Sequence, residues 1–211
     1  EYLPQYAAAQ FDKVEQIKNE KSTIDLMFAG NIGAAQSLET VLKAAELLRK
    51  ESNLRWHIVG DGSELNNLKK MAKEKDLSNV IFYGRKPPEE MPQYYAMADA
   101  MLVTLTADRF ISLTLPGKVQ TYMAAGKPTI GAAVGEISNV IAAAKCGYCA
   151  NAEDAKGLAQ AVLNFIANED REQLGENSRA YYERHFTRNM FMNKLERELF
   201  ASAEQGKEIK A

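Results

Sequence analysis

The chain has 211 residues, of which 46% are hydrophobic and 26% are charged, as is typical of a globular protein. This composition excludes a disordered, collagen-like or coiled-coil chain, and the length is sufficient for one domain with a full hydrophobic core. The 26 Lys and Arg residues nearly balance the 28 Asp and Glu residues, and the resulting net charge of -2 argues against a general nucleic-acid binder.

Redox and targeting features point to a cytoplasmic protein. Two cysteines are too few for a disulfide framework, which predicts a reducing compartment. No apolar run reaches the roughly 18–20 residues that span a bilayer. The N-terminal stretch has neither the basic nor the apolar region of a signal peptide, and it lacks an initiator Met, as in an excised fragment or a processed product.

Apolar β-rich runs alternate with stretches of helical periodicity between residues 24 and 167. The runs predict six strands, at residues 24–30, 55–62, 79–85, 99–105, 128–132 and 148–152. The first helix has an apolar stripe of Leu38, Val41, Leu42, Ala45 and Leu48. Strands that alternate with helices predict βαβ units with right-handed crossovers, and therefore a sheet covered on both faces. We expect a doubly wound, mostly parallel, six-stranded Rossmann-like α/β sheet.

The remainder of the chain is predicted to be helical. One stripe consists of Leu158, Ala161, Val162, Phe165 and Ile166. Further on, Thr187 is suited to cap a last helix. We expect a linker with an N-terminal helix at residues 1–23, the Rossmann-like domain with its C-terminal helices at residues 24–200, and a polar tail at residues 201–211.

The loops at the carboxyl ends of the strands are the expected ligand site, because doubly wound sheets bind ligands there. Three strands end in glycine, at Gly30, Gly60 and Gly84, and glycine lets backbone N–H groups approach a phosphate closely. The first loop does not have the glycine spacing of a dinucleotide fingerprint, and a tight turn explains it equally well. For the second loop we favour a purely structural role.

Three cations are expected at the same edge of the sheet. Arg85 and Lys86 follow the third strand, and Lys118 lies in the first turn of a helix with Pro116 at its start. A lysine at this position opposes the helix dipole, and an anionic ligand would resolve that mismatch. The alternative is that all three are ordinary solvated cations.

The cysteines and histidines do not suggest a catalytic or metal site. Cys146 and Cys149 have the spacing of a redox motif, but they lie between the end of a helix and the start of a strand, so we interpret them as structural. His57 and His185 lie in apolar runs, and we interpret them as residues at the edge of the core. The sequence predicts no metal site and assigns no catalytic residue.

Four segments in a fixed order carry a family resemblance: FAGNIGAAQSLETVLKAAELL, WHIVGDGSELNNLKKMA, VIFYGRKPPEEMPQYYAMADAMLV and PGKVQTYMAAGKPTIGA. Together they resemble retaining glycosyltransferases of the GT-B fold. More narrowly, they look like the C-terminal domain of the GT4 group, which includes enzymes of bacterial O-antigen and capsular polysaccharide synthesis. The resemblance covers nearly the whole chain from Ile24 onward.

The resemblance implies a nucleotide-diphosphate sugar as donor substrate, with a UDP-sugar as the leading expectation and with no cofactor. Its diphosphate is expected at Gly30, Asn31, Gly33, Arg85 and Lys118. Its base and ribose are expected at Gly84, Arg85, Lys86 and Thr121. Its sugar is expected at the loop formed by Leu113, Thr114, Leu115, Pro116 and Gly117.

The chain departs from the family pattern at the charged positions. Many members carry an Arg and a Lys in and after the first loop, where this chain has Asn31 and Gln36. Many also carry two glutamates with seven residues between them, where this chain has approximately Leu113 and Thr121. A threonine is a weaker acceptor for ribose hydroxyls than a carboxylate. Lys118 and its neighbouring cations could supply the missing charge.

GT-B enzymes join donor and acceptor in a cleft between two domains. The resemblance therefore implies an N-terminal partner domain and a glycan or lipid-linked acceptor, and we expect the chain alone to be inactive. It also allows contact with the cytoplasmic face of a membrane through the other domain. Two alternatives stay open: a non-catalytic binding or assembly module with a degenerate donor site, and half of a nucleotide-sugar 2-epimerase.

Overall fold

A computed structural model describes residues 3–12, residue 14 and residues 23–208, with side chains through residue 202. One six-stranded sheet contains β1 (Ile24–Ala29), β2 (Leu54–Val59), β3 (Val80–Gly84), β4 (Ala100–Thr104), β5 (Thr129–Ala132) and β6 (Gly147–Ala150). The strands lie in the order β3-β2-β1-β4-β5-β6, and all neighbours are parallel. This order confirms the predicted Rossmann-like sheet, which is wholly rather than mostly parallel.

The α-helices connect the strands and then complete the C-terminal part. They are α1 (Leu38–Leu47), α2 (Leu65–Glu74), α3 (Met91–Met97), α4 (Gly117–Ala124), α5 (Glu136–Ala144), α6 (Ala155–Ala167), α7 (Arg171–His185) and α8 (Arg188–Glu208). Short 3₁₀ turns occur at Ala9–Phe11, Ala34–Gln36, Pro88–Glu90 and Ile111–Leu113. The 3₁₀ turn at Pro88–Glu90 directly precedes α3.

Two hydrophobic layers enclose the sheet, because successive strand residues point to opposite faces. Leu26 and Trp56 are fully buried on the face covered by α1, α2 and α6. Met27 and Met101 are fully buried on the face covered by α3, α4, α5 and α7. Burial on both faces explains why the strands were recognisable as continuous apolar runs.

The two ends of the chain differ from simple expectation. Of the predicted N-terminal linker and helix, residues 3–12 contain only the 3₁₀ turn, and residues 1, 2, 13 and 15–22 lie outside the described residues. Helix α8 continues to Glu208, so it includes most of the segment expected as a polar tail. Its start is capped as predicted, since the Thr187 hydroxyl accepts a hydrogen bond from the Met190 amide at 3.4 Å. Within the described residues, no helix combines the length and the apolar character needed to cross a membrane.

Candidate functional site

The strand order reverses between β1 and β4, and the loops that follow these strands frame the crevice where such sheets bind ligands. The loop after β1 is packed against the loop after β2. A Cβ atom on Gly60 would lie 1.8 Å from the carbonyl oxygen of Gly30, and Gly60 has a φ of +144°. The Ile32 amide donates to the carbonyl of Asp61 at 2.8 Å. Gly60 therefore lets the second loop pack directly against the first, in agreement with the structural role that we favour for the second loop.

Lys118 reaches from the first turn of α4 to the loop after β1. Its Nζ lies 4.0 Å from the centroid of the Phe28 ring, and it donates a hydrogen bond to the side-chain carbonyl of Gln36. The same atom is 3.2 Å from the position that a Cβ on Gly30 would occupy, so the glycine leaves room for the amine. Burial lowers the pKa of Lys118 to about 7. Among the described residues, no carboxylate forms an ion pair with this lysine.

Two side chains that the sequence did not single out hold α4 in place. The buried Tyr122 hydroxyl is hydrogen-bonded to the backbone of Ala29, at the end of β1. At the other end of the helix, Arg179 donates from α7 to the carbonyl of Ala124. The N-terminus of α4 is therefore held in a defined place beside the first loop.

The neutral residues at the family's charged positions have different surroundings. Asn31 is exposed in the first loop. Gln36 is at the end of a 3₁₀ turn and accepts a hydrogen bond from Lys118. It therefore supplies no charge of its own but holds the charged side chain of Lys118. Thr121 donates its hydroxyl hydrogen to the carbonyl of Gly117 at 2.9 Å, within its own helix. Its oxygen can still accept, but its donor is already used.

The loop after β3 forms a separate group of candidate residues at the edge of the sheet. Gly84 has a φ of +68°, which turns the chain out of the strand. Arg85 is exposed, whereas Lys86 lies with its Nζ 5.6 Å from the centroid of the Tyr94 ring. A hydrogen bond to Tyr94 raises the pKa of Lys86. Strand β2 separates this group from the Lys118 group, so the structure does not bring all three predicted cations together.

The loop predicted to face the donor sugar leads directly into α4. Leu113 is 69% exposed, and the nearby Phe110 is 79% exposed. The backbone at Ser112 packs closely against Gly135, since a Cβ atom on Gly135 would lie 2.1 Å from the carbonyl oxygen of Ser112. Thr114 is exposed, and its hydroxyl donates to the carbonyl of Ile111 at 2.8 Å. The loop therefore presents apolar side chains to solvent on a fixed base.

The remaining candidate residues have structural surroundings. Burial raises the pKa of the Cys146 thiol to about 12 and raises the pKa of Cys149 as well, which makes both poor nucleophiles. His185 is exposed and packs on Tyr181, with ring centroids 4.2 Å apart. His57 is buried in an ion-pair cluster with Asp25, rather than at the edge of the core. In the described part of the chain, no three His, Cys, Asp or Glu side chains are grouped to hold a metal ion.

Comparison with known proteins identifies the family. A family model described as glycosyl transferases group 1 matches residues 10–181. The chain belongs to this family. The probable glycosyltransferase WbjE of Pseudomonas aeruginosa is 30% identical over 170 residues, which are 80% of this chain and 42% of that protein. The putative colanic acid biosynthesis glycosyl transferase WcaI of Escherichia coli is 32% identical over 117 residues, 54% of this chain and 28% of that protein.

Solved structures of other glycosyltransferases share the fold of this chain. The C-terminal domain of LpcC from Francisella tularensis superposes with a TM-score of 0.64 at 18% identity, covering 83% of this chain and 92% of that one. Anabaena HepE, solved with UDP and glucose, gives a TM-score of 0.70 at 18% identity, covering 93% and 53%. Together with the family match, this likeness confirms the expected GT-B-type glycosyltransferase fold. The chain spans less than half the length of the curated relatives named above.

Proposed function

We propose that this domain binds the diphosphate of a nucleotide sugar between the loop after β1 and the N-terminus of α4. The observation that carries the proposal is the position of Lys118. Its amine is held beside Gly30 by the neutral Gln36, and no described carboxylate neutralises it. A diphosphate at this point would gain the lysine charge, the free N–H groups of α4 and the helix dipole together.

The nucleoside would extend from this point toward the loop after β3. Lys86 and the half-buried Tyr94 offer a cation and an aromatic edge there, and Arg85 is exposed to interact with the ligand. Thr121 would accept a hydrogen bond from a ribose hydroxyl. We take a UDP-sugar as the leading donor, with support from HepE, whose crystal structure is of a complex with UDP and glucose.

The proposed reaction transfers the sugar to an acceptor hydroxyl with retention of anomeric configuration. The bond between the anomeric carbon and the diphosphate oxygen breaks, and a bond from that carbon to the acceptor oxygen forms. The nucleoside diphosphate leaves with the bonding electron pair, and the acceptor proton is released. Lys118 and the α4 N-terminus would stabilise the charge that develops on the leaving diphosphate.

In our proposal, the acceptor site lies on a second domain and not on this chain. The curated relatives WbjE and WcaI extend well beyond the region that they share with it. The exposed Phe110 and Leu113 would face that domain or a glycan or lipid-linked acceptor. We therefore expect no sugar transfer by the purified 211-residue chain, and measurable turnover by this chain alone would refute the two-domain requirement.

Calorimetric titration with UDP, GDP, ADP and their sugar conjugates tests donor binding directly. We expect saturable binding of one nucleotide that is weakened by salt and is at least tenfold weaker in Lys118→Met. Lys43→Met is the matched control, because Lys43 is an exposed lysine of α1 that pairs with Glu39 at 3.3 Å. Equal affinity in Lys118→Met and the unsubstituted chain would contradict the proposal.

A non-catalytic binding module is the second candidate function. The neutral Asn31 and Gln36 favour it, as does Thr121, whose hydroxyl hydrogen is bonded within α4. The two candidates differ in one measurement on the chain joined to its N-terminal domain. Donor hydrolysis or sugar transfer by that protein would support the enzyme, whereas nucleotide binding without turnover would support the module.

A further inference from the structure

Tyr83 interrupts the regular pairing between β2 and β3. Ile58 lies opposite Phe82, and Val59 lies opposite Gly84, so Tyr83 is an extra residue on the edge strand. A bulge of this kind bends the strand and redirects the side chains beside it. The bulge lies immediately before the loop that carries the candidate base site.

A buried chain of hydrogen bonds ends at the Tyr83 hydroxyl. Arg55 binds the carboxylate of Asp25 through both Nε and Nη2, at 2.6 and 2.7 Å. Asp25 Oδ1, which accepts from Arg55 Nε, also lies 2.8 Å from His57 Nε2, and His57 Nδ1 is 2.8 Å from the Tyr83 oxygen. The tautomer with its proton on Nε2 satisfies both contacts, because it donates to Asp25 and accepts from Tyr83.

Two groups of this hydrogen-bond chain, Asp25 and Tyr83, have shifted pKa values. Burial alone would raise the pKa of Asp25, but hydrogen bonds from His57 and Arg55 hold it well below its usual value. Burial raises the pKa of Tyr83, so the phenol remains a donor. Asp25 is 0% exposed and His57 is 2% exposed. The orientation of the Tyr83 ring is therefore fixed from inside the protein.

The outer side of Tyr83 contacts the candidate base site. Its ring packs edge-on against Tyr94 of α3, with centroids 5.3 Å apart and an interplanar angle of 73°. Lys86, in the loop after β3, has its Nζ 5.6 Å from the centroid of the Tyr94 ring. Contacts thus continue from the buried ion pair, through Tyr83 and Tyr94, to a cation at the surface.

We propose that Tyr83 is a positioning residue for recognition of the nucleotide base, acting through Tyr94 and Lys86. This inference rests on the proposed function, because it takes the loop after β3 as the base site. A base gains affinity from an aromatic ring and a cation that are already in place, since less side-chain freedom is lost on binding. The hydrogen-bond chain from Arg55 through the buried Asp25 and His57 supplies that order before the ligand arrives.

Tyr83→Phe tests the proposal, because it keeps the ring and removes the hydroxyl bound to His57. We would measure calorimetric Kd values of the full chain for UDP and for pyrophosphate. UDP binding should weaken about threefold to tenfold, as expected for one hydrogen bond. Pyrophosphate binding should not change, because that ligand reaches only Lys118 and α4. Equal weakening of both ligands would show a general structural role and overturn the proposal.

Tyr148→Phe is the matched control. The Tyr148 hydroxyl accepts a hydrogen bond from Asn168 at 3.1 Å, and it lies on β6, at the opposite edge of the sheet. We expect this variant to bind both ligands like the unsubstituted chain. Tyr94→Phe offers a second test that leaves the buried chain intact, and it should reproduce the selective loss of UDP affinity. UDP affinity unchanged in both Tyr83→Phe and Tyr94→Phe would overturn the proposal.

Hydrogen exchange of the unliganded chain separates this inference from the proposed function. In Tyr83→Phe, the amides of Gly84, Arg85 and Lys86 should exchange severalfold faster than in the unsubstituted chain, whereas Tyr148→Phe should not change them. Unchanged exchange in Tyr83→Phe would overturn the positioning role whether or not a nucleotide binds. Faster exchange, together with no binding of UDP, GDP or ADP by the unsubstituted chain, would support the positioning of this loop and reject the proposed function.

Discussion

The hydroxyl group of Tyr122 donates a hydrogen bond to the carbonyl oxygen of Ala29 at 3.1 Å and accepts one from the amide of the same residue at 3.3 Å. Burial raises the pKa of Tyr122, which keeps this hydroxyl protonated. The contact ties α4 to the last residue of β1. Lys118 lies one helical turn earlier on α4, so its placement beside Gly30 depends on this tyrosine.

Tyr122→Phe should lower the free energy of unfolding by about 1–3 kcal/mol, because buried backbone groups of Ala29 lose a partner. Urea denaturation would measure the change. Nucleotide affinity should also fall, since α4 is no longer tied to β1. If the variant were as stable as the unsubstituted chain, this contact would not be what holds the helix.

Nucleotide affinity should decrease as the pH rises above 7. Burial lowers the pKa of Lys118 to about 7, and a bound diphosphate favours the charged amine, so binding takes up a proton. Above pH 8 the Kd should increase by up to about tenfold per pH unit. The ligand contributes little in this range, because its phosphate has already ionised near pH 6.

Calorimetry in two buffers of different ionisation enthalpy would measure this proton uptake between pH 7 and 9. Lys118→Met serves as the control, and its residual binding should show neither the uptake nor the slope. A pH-independent Kd in the unsubstituted chain would argue against a role for the lysine in anion binding.

Gly60→Ala and Gly84→Ala should differ sharply in stability, although Gly60 directly follows β2, Gly84 ends β3, and both have positive φ. The Cβ at position 60 would lie 1.8 Å from a backbone oxygen, whereas nothing lies within 4 Å at position 84. We expect Gly60→Ala to cost at least about 3 kcal/mol of stability and Gly84→Ala about 1–2 kcal/mol. Chemical denaturation of the two variants would compare them, and similar losses would contradict the close packing of the first two loops.

Asp25→Asn should destabilise the chain by about 3 kcal/mol at neutral pH, because it leaves the Arg55 and His57 groups without their carboxylate. The folded-state pKa of Asp25 is lowered, so the unfolded chain binds a proton first as the pH falls. The stability that Asp25 contributes is therefore present above about pH 4 and is lost below it. The difference between the two proteins, measured by urea denaturation from pH 3 to 7, should shrink toward acid pH. A constant difference would contradict an ionised Asp25.

The sheet could be predicted from sequence because a strand buried on both faces needs a continuous apolar run. The end of a helix could be predicted where a single residue, such as a glycine, sets the local backbone conformation. Gly126, just after α4, has a φ of +65°, the left-handed conformation that glycine adopts readily at a helix C-terminus. The polar ending of α8 was harder to interpret, since Ala, Glu, Gln and Lys suit both a helix and a tail.

The details of the site could not be predicted, because they depend on contacts between distant parts of the chain. Gln36 and Lys118 are 82 residues apart, and only the strand order brings them together. Tyr83 lies in an apolar run and resembles any other strand residue, because its bulge is set by pairing with β2. The family pattern placed Gln36 as a neutral replacement for a cation, whereas the structure gives it a bond to one.

The loop after β4 is anchored at both ends, whereas two of its apolar side chains are exposed. The Thr106 amide donates to the carbonyl of Ala35 at 3.1 Å, and Ser112 is held against Gly135. Phe110 lies between these two anchors, and Leu113 follows the second one. Both side chains are largely exposed, so they contribute little to the stability of the fold. Evolution can therefore change these side chains at low cost while the framework beneath the loop stays the same.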